Sequence, residues 1–180
     1  MRTPLHTRSL LLCTSLALAT VTCASVDPGE RTEQGPRLLV CTATDAPHGT
    51  MTKVVGPDSE RTELEIRGPR GRHRLIIPRG AVTRETTFIL TARATDRVEV
   101  EAQAVGHETF AFANGQRATL RLNAGHCPAA FDRLQGKQVV RVEANGLVPV
   151  GGTVVGEGTG RRDALQTELP TLSGYAIAGS

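Results

Sequence analysis

From residue 51 onward, apolar and polar positions alternate with a period of two, as on strands with one buried face. In residues 62–66, Leu64 and Ile66 share one face. Residues 74–77 form a short apolar run that stops at Pro78. In residues 86–91, Phe88 and Leu90 lie on one face and Ile89 on the other. Residues 98–104 set Val98, Val100 and Ala102 against Glu99, Glu101 and Gln103. Phe110 and Phe112 share a face. Ala118, Leu120 and Leu122 alternate with Arg117, Thr119 and Arg121, and Val140 and Val142 oppose Arg141 and Glu143. Further strands are expected at residues 38–42, 153–155, 164–169 and 175–178. Residues 46–50 read as a turn, and residues 128–134 as one helical turn at most. Gly, Pro, Asn or Asp interrupts this pattern about every ten residues. Roughly eight to ten short strands with regular turn signals predict an antiparallel β-sandwich or barrel.

The N-terminus breaks the pattern. Residues 1–8 hold Arg2, His6 and Arg8 and no acid, and residues 9–22 are uncharged and rich in Leu, Ala and Val. That layout reads as a signal peptide. The apolar run falls short of the roughly 20 residues a spanning helix needs. Two cleavage routes fit. Cys23, between Thr20-Val21-Thr22 and Ala24-Ser25, resembles the lipidated Cys of a bacterial lipobox, although Thr20 and Thr22 depart from the usual residues. Ordinary cleavage after Ala24 is the other route. Pro28, Gly29, Gly35 and Pro36 then mark a polar, flexible tether. The expected organisation is a signal peptide in residues 1–23, a tether in 24–37 and one β-sandwich domain in 38–180.

Composition narrows the chemistry. With four Phe, one Tyr and no Trp, the core must be built mostly from Val, Leu, Ile and Ala. The net charge of +3 falls to +1 once Arg2 and Arg8 are removed with the signal. No overall field then draws the chain to nucleic acid or anionic lipid. Of the four cysteines, Cys13 lies in the signal and Cys23 is lipidated or discarded. Cys41 and Cys127 remain, and in an oxidising compartment a pair reads as a disulfide. Such a bridge would contribute roughly 4 kcal/mol on the chain-entropy account. There is no Cys-x-x-Cys and no His pair at ligand spacing, and His126 beside Cys127 is too little for a metal site. No metal and no cofactor are expected.

Several local patterns bear on function. Arg67, Arg70, Arg72, His73 and Arg74 cluster around Gly68, Pro69 and Gly71. They could meet phosphate, anionic glycan or lipid headgroups, or they could form a solvated hairpin tip with edge-protecting charges. The second reading is preferred, because no aromatic residues are interleaved for base stacking. Gly156-Glu157-Gly158-Thr159-Gly160 is followed by no amphipathic helix, so it reads as a hairpin loop rather than a phosphate cradle. No Gly-x-Ser-x-Gly elbow is present. Glu99 and Glu101, two apart on a strand, belong to a solvated face.

Three stretches carry a family likeness. They are Leu75-Ile76-Ile77-Pro78-Arg79-Gly80-Ala81-Val82 with the strand at residues 86–91, residues 110–120 from Phe110 to Leu120, and Leu172-Ser173-Gly174-Tyr175-Ala176-Ile177-Ala178. Their order and spacing resemble the ZU-five domain of ankyrins, netrin receptors and tight-junction scaffolds, and more closely its secreted bacterial relatives. The likeness implies an immunoglobulin-like, ZU-five-like sandwich. Within the strand-Pro-x-Gly-Ala element, Pro78 ends a strand by removing a donor, and Gly80 takes a dihedral that other residues avoid. Gly56-Pro57 stands where the family usually has Gly-Gly. Some members cut themselves at a His-Phe-Ser segment. The matching residues here are Thr171-Leu172-Ser173, which lack the activating His, so self-cleavage is not expected. The resulting expectation is a non-catalytic exported module, an interaction or structural domain of the cell envelope. Its partner would be an envelope or extracellular protein, and it would touch a membrane only through a lipid on Cys23. The alternatives are an extracytoplasmic hydrolase with a loop-built site and an anion-binding module working through Arg67, Arg70, Arg72 and Arg74.

Overall fold

The computed structural model describes residues 35–42, 45–156 and 162–180. They belong to the second of two units into which the chain divides, residues 33–180. The expected signal peptide, Cys23 and most of the tether lie outside the described residues.

The described elements, in order, are β1 (Arg37–Leu38), β2 (Gly49–Val55), β3 (Thr62–Gly68), β4 (Gly71–Ile77), β5 (Thr86–Ala92), β6 (Glu99–Ala104), a short 3-10 turn (Ala113–Gly115), β7 (Ala118–Asn123), α1 (Pro128–Arg133), β8 (Gln138–Glu143), β9 (Gly146–Gly151), β10 (Thr153–Val155), β11 (Ala164–Leu169) and β12 (Gly174–Gly179). One sheet runs β2-β5-β6-β12-β8-β9, with β1 also on β12, and the other runs β10-β11-β7-β4-β3. The strand pairs are antiparallel throughout. The fold is therefore an all-β, antiparallel sandwich.

The period-two alternation decides what fills it. Leu64, Ile66, Leu75, Ile77, Leu120, Leu122, Leu165 and Leu169 come from the five-stranded sheet. They meet Phe88, Leu90, Val100, Ala102, Val139, Tyr175 and Ile177 from the other sheet in one buried cluster. β12 is buried on both faces. Tyr175 and Ile177 point into this core, whereas Ala176 and Ala178 join Val140 in a second small cluster with Leu38, Val142 and Leu147. Two-sided burial explains why this strand reads as an unbroken apolar run.

The corner at Pro78 forms as expected. The Ala81 N–H donates to the Pro78 carbonyl at 3.3 Å, and Gly80 has φ +71°, the left-handed value a type II turn needs at its third position. Residues 110–112 do not extend a strand. They cross the mouth of the core, and Phe110 and Phe112 pack on Phe88 with ring centroids 5.2 and 6.2 Å away. The Ala113 N–H donates to the Ala81 carbonyl at 2.8 Å, and Asn114 Nδ2 donates to the Gly80 carbonyl at 3.3 Å.

Three further elements differ from the sequence reading. β9 is absent from it because Pro149 weakens the strand signal. β9 is an edge strand, where a missing donor is tolerated. The expected turn at 46–50 ends early, since Gly49 and Thr50 already pair with Ala92 and Thr91. The expected strand at 38–42 is divided between two partners. Leu39 N–H donates to the Ile177 carbonyl at 2.8 Å, and Cys41 N–H to the Asp96 carbonyl at 2.5 Å. A segment that changes partner midway cannot build one regular ladder.

Tyr175 is fully buried, and its hydroxyl donates to the Thr171 carbonyl at 2.5 Å, four residues back. The contact resembles the tyrosine corner of Greek-key sandwiches. Burial raises the phenol's pKa against the opposing effects of this hydrogen bond and of Arg141, so the hydroxyl stays a donor at neutral pH. Tyr175→Phe keeps the ring and strands a carbonyl. It should lower stability by about 1–2 kcal/mol, read as a lower urea midpoint at unchanged m-value; an unchanged midpoint would show that the bond adds nothing.

Candidate functional site

The two buried histidines, the disulfide and the arginine cluster lie close to one another. β3 and β4 meet in a tight hairpin in which Gly68 pairs with Gly71, leaving Pro69 and Arg70 at the tip. This tip lies against the turn that follows β7. Gly71 has φ +153°, and a Cβ there would stand 1.9 Å from Asn123 Oδ1, so only glycine allows the approach. Asn123 is buried. Its backbone N–H donates to His73 Nδ1 at 3.2 Å, its Nδ2 donates to Asp163 Oδ1 at 3.2 Å, and its Oδ1 accepts from the Gly125 N–H at 2.7 Å. The Ala124 N–H donates to the Asp163 carbonyl at 2.7 Å.

The turn leads to His126 and Cys127, the residue just before α1. Cys127 is joined to Cys41 in a disulfide spanning 86 residues, with Cα atoms 5.4 Å apart. The pairing expected from cysteine count is the one present. His126 is only 3% exposed, and neither ring nitrogen has a hydrogen-bond partner among the described residues. Burial lowers its pKa, with Asp45 opposing. His73, 2% exposed, is pushed down to about 3 by burial and by the neighbouring His126. Both imidazoles are neutral at ordinary pH. His73 Nδ1, which accepts a hydrogen bond, carries no proton.

The basic cluster is brought together, but with its counter-charges. Arg67, Arg70 and Arg72 line a surface cavity of about 390 Å³ with Gly68, Gly71, Asn123 and Asp163. Arg67 pairs with Glu65. Arg72 lies 3.3 Å from Glu65, Arg74 lies 3.1 Å from both Glu63 and Glu65, and Arg70 lies 3.5 Å from Asp45. Burial alone would raise the Glu65 pKa. The hydrogen bond from Arg67 and the charges of Arg72, Arg67 and Arg74 outweigh it and hold the carboxyl below its ordinary value. The outward face of the hairpin is thus a lattice in which Glu63, Glu65 and Asp45 offset most of the arginine charge. The acids were visible in the sequence, since Glu63, Glu65 and Arg67 alternate with inward Leu64 and Ile66. The register that sets them opposite Arg72 and Arg74 was not.

The remaining candidates are dispersed. Glu101 sits on an outer face, 3.7 Å from Arg93 and accepting from Gln103 Nε2 at 2.5 Å. Ser173 shares a surface cavity of about 680 Å³ with Glu101 and His107, but His107 Nε2 faces Arg84 Nη2 at 3.4 Å. Most of the glycine-rich loop lies outside the described residues. The structure does assemble one group that spacing concealed: donor atoms of Cys41, His126 and Cys127 lie within 4.8 Å of one another. Cys41 is too distant in sequence for any ligand motif to reveal it.

No protein-family model matches the chain, and no curated protein or solved structure matches it.

The His73 pKa sets an acid sensitivity. The unfolded chain protonates this imidazole near pH 6.5 and the folded protein only near 3. The contribution is fully present above about pH 6.5 and is lost as pH falls from there toward 3. At about 1.4 kcal/mol per unit, roughly 2 kcal/mol is gone by about pH 5. In urea unfolding, His73→Phe should show a shallower loss of stability over this range than the parent. Equal slopes would mean that His73 does not carry the effect.

Proposed function

We propose that the chain is an exported, non-catalytic β-sandwich module that works in the cell envelope by holding a protein partner. The observation that carries this reading is the Cys41–Cys127 disulfide. Structural disulfides form and persist outside the reducing cytoplasm, and the bridge agrees with the basic-then-apolar N-terminus. The ZU-five likeness of the sequence belongs to this reading, and its first two stretches touch through hydrogen bonds from Ala113 N–H to the Ala81 carbonyl and from Asn114 Nδ2 to the Gly80 carbonyl. An immunoglobulin-like wiring is supported by the Tyr175 corner. A surface for a partner is offered by β2, which ends its sheet with Met51 and Val54 exposed. An end strand of this kind accepts an extended segment by strand addition.

Two measurements test this. Expressed in a bacterial host with an intact export pathway, the chain should fractionate with the envelope or medium. Its intact mass should rise by two hydrogens on reduction, and its N-terminal peptide should report either a lipid on Cys23 or cleavage after Ala24. Retention in the cytoplasm with free thiols would refute export. A partner captured from the envelope fraction should be lost on Val54→Lys, which sets a charge on the strand edge; a partner retained by that variant would refute the β2 surface.

The anion-binding reading is disfavoured by the ion pairs. Arg70, Arg72 and Arg74 already face Asp45, Glu63 and Glu65. Changing these three arginines to Ala should alter binding to heparin or anionic vesicles by less than about twofold, since exposed, compensated charges contribute little. A tenfold loss would restore the anion site.

A further inference from the structure

The His126 imidazole is nearly fully buried, and both of its nitrogens lack hydrogen-bond partners among the described residues. Such a group is costly to leave unsatisfied. The sulfurs of the buried Cys41 and Cys127 lie close to it, with all three donor atoms inside 4.8 Å, and Asp45 and His73 lie near enough to interact electrostatically. Two sulfurs and one imidazole on this scale match the ligand set of a thiophilic metal ion, for which metal–sulfur distances are about 2.3 Å and metal–nitrogen about 2.0 Å. In the oxidised chain the sulfurs are bonded to each other and cannot ligate. A cavity of about 360 Å³, walled by Cys41, Thr42, Ala46, His48, Ala94, Thr95 and Asp96, opens beside this cluster.

We propose that Cys41, Cys127 and His126 form a redox-gated binding site for a closed-shell thiophilic cation, Zn(II) or Cu(I), with disulfide and metal as alternative occupants of the same three side chains. An external dithiol opens the site. It takes the disulfide to two thiols and becomes a disulfide itself, so two electrons and two protons move to Cys41 and Cys127. Binding the cation then releases the two thiol protons, and a neutral His126 nitrogen supplies the third bond. Thiolate pairs select Zn(II) and Cu(I) over harder ions such as Mg(II) and Ca(II). Newly made chain has both thiols before oxidation, so metal capture competes with disulfide formation.

The test uses the full chain with Cys13→Ser and Cys23→Ser, reduced with a phosphine, desalted without oxygen and titrated with Zn(II) or Cu(I) alone against a coloured competing chelator. The reduced protein should bind one equivalent of at least one cation, and which arm succeeds identifies the ion. The oxidised protein and reduced His126→Leu should each bind at least about tenfold more weakly, the scale on which even outer-shell partners matter. Co(II) in place of Zn(II) should give a thiolate charge-transfer band that His126→Leu alters. Thermal unfolding of the reduced protein should shift upward with the cation in the parent and much less in His126→Leu. If reduction unfolds the chain, the cation should restore the far-ultraviolet spectrum of the parent but not of the variant. Failure of both cations to bind the reduced parent, equal binding by His126→Leu or by the oxidised form, or no difference between parent and variant in stabilisation would overturn the site.

Discussion

A buried amide must find partners for its polar atoms, and the polar end of this sandwich is arranged around the one that Asn123 carries. Its carboxamide joins the turn after β7 to Asp163 just before β11, and its backbone N–H fixes the neutral face of His73. The β3–β4 hairpin can come close enough only because Gly71 has no side chain. The turn that results delivers His126 and Cys127 to the start of α1, where Cys41 meets them. Satisfying one buried polar group therefore positions the disulfide, the two buried histidines and the hairpin tip together.

Charge is handled differently at the same end. The outward face of β3 and β4 keeps its guanidinium groups among carboxylates, with Glu65 held ionised by Arg67, Arg72 and Arg74. These are partly solvated pairs, and such pairs contribute little to stability one by one. Their effect is to offset most of the positive field of a stretch rich in arginine. The interior does the reverse: it excludes charge, and His73 and His126 remain neutral there.

The sandwich class was legible in the sequence because one buried face per strand imposes a period of two, as at Leu64 and Ile66 or at Val98, Val100 and Ala102. The disulfide was legible from cysteine count, and the corner at Gly80 from the steric demands of its turn. The strand at 146–151 was hidden by Pro149, whose missing donor matters only if the strand is central. The division of residues 38–42 between β12 and the Asp96 turn was hidden because partner choice is a tertiary property. The same holds for the candidate site. Arg67 to Arg74 stood out as neighbours in sequence, while their acidic partners depend on strand register. The grouping of Cys41 with His126 and Cys127 depends on a contact across most of the domain.

The pairing of Arg37 with Gly179 sets the two ends of the described domain side by side. A pull on those two points would not shear the sheet. It would peel β1 off β12 one hydrogen bond at a time, the weakest way to load a ladder. The peeling would then reach Cys41 within a few residues and stop, because the covalent bridge to Cys127 passes the force to the turn before α1. Loaded at these two points, the domain would thus give way slightly at β1 and then stiffen, the force running from Cys127 through the packed core to β12.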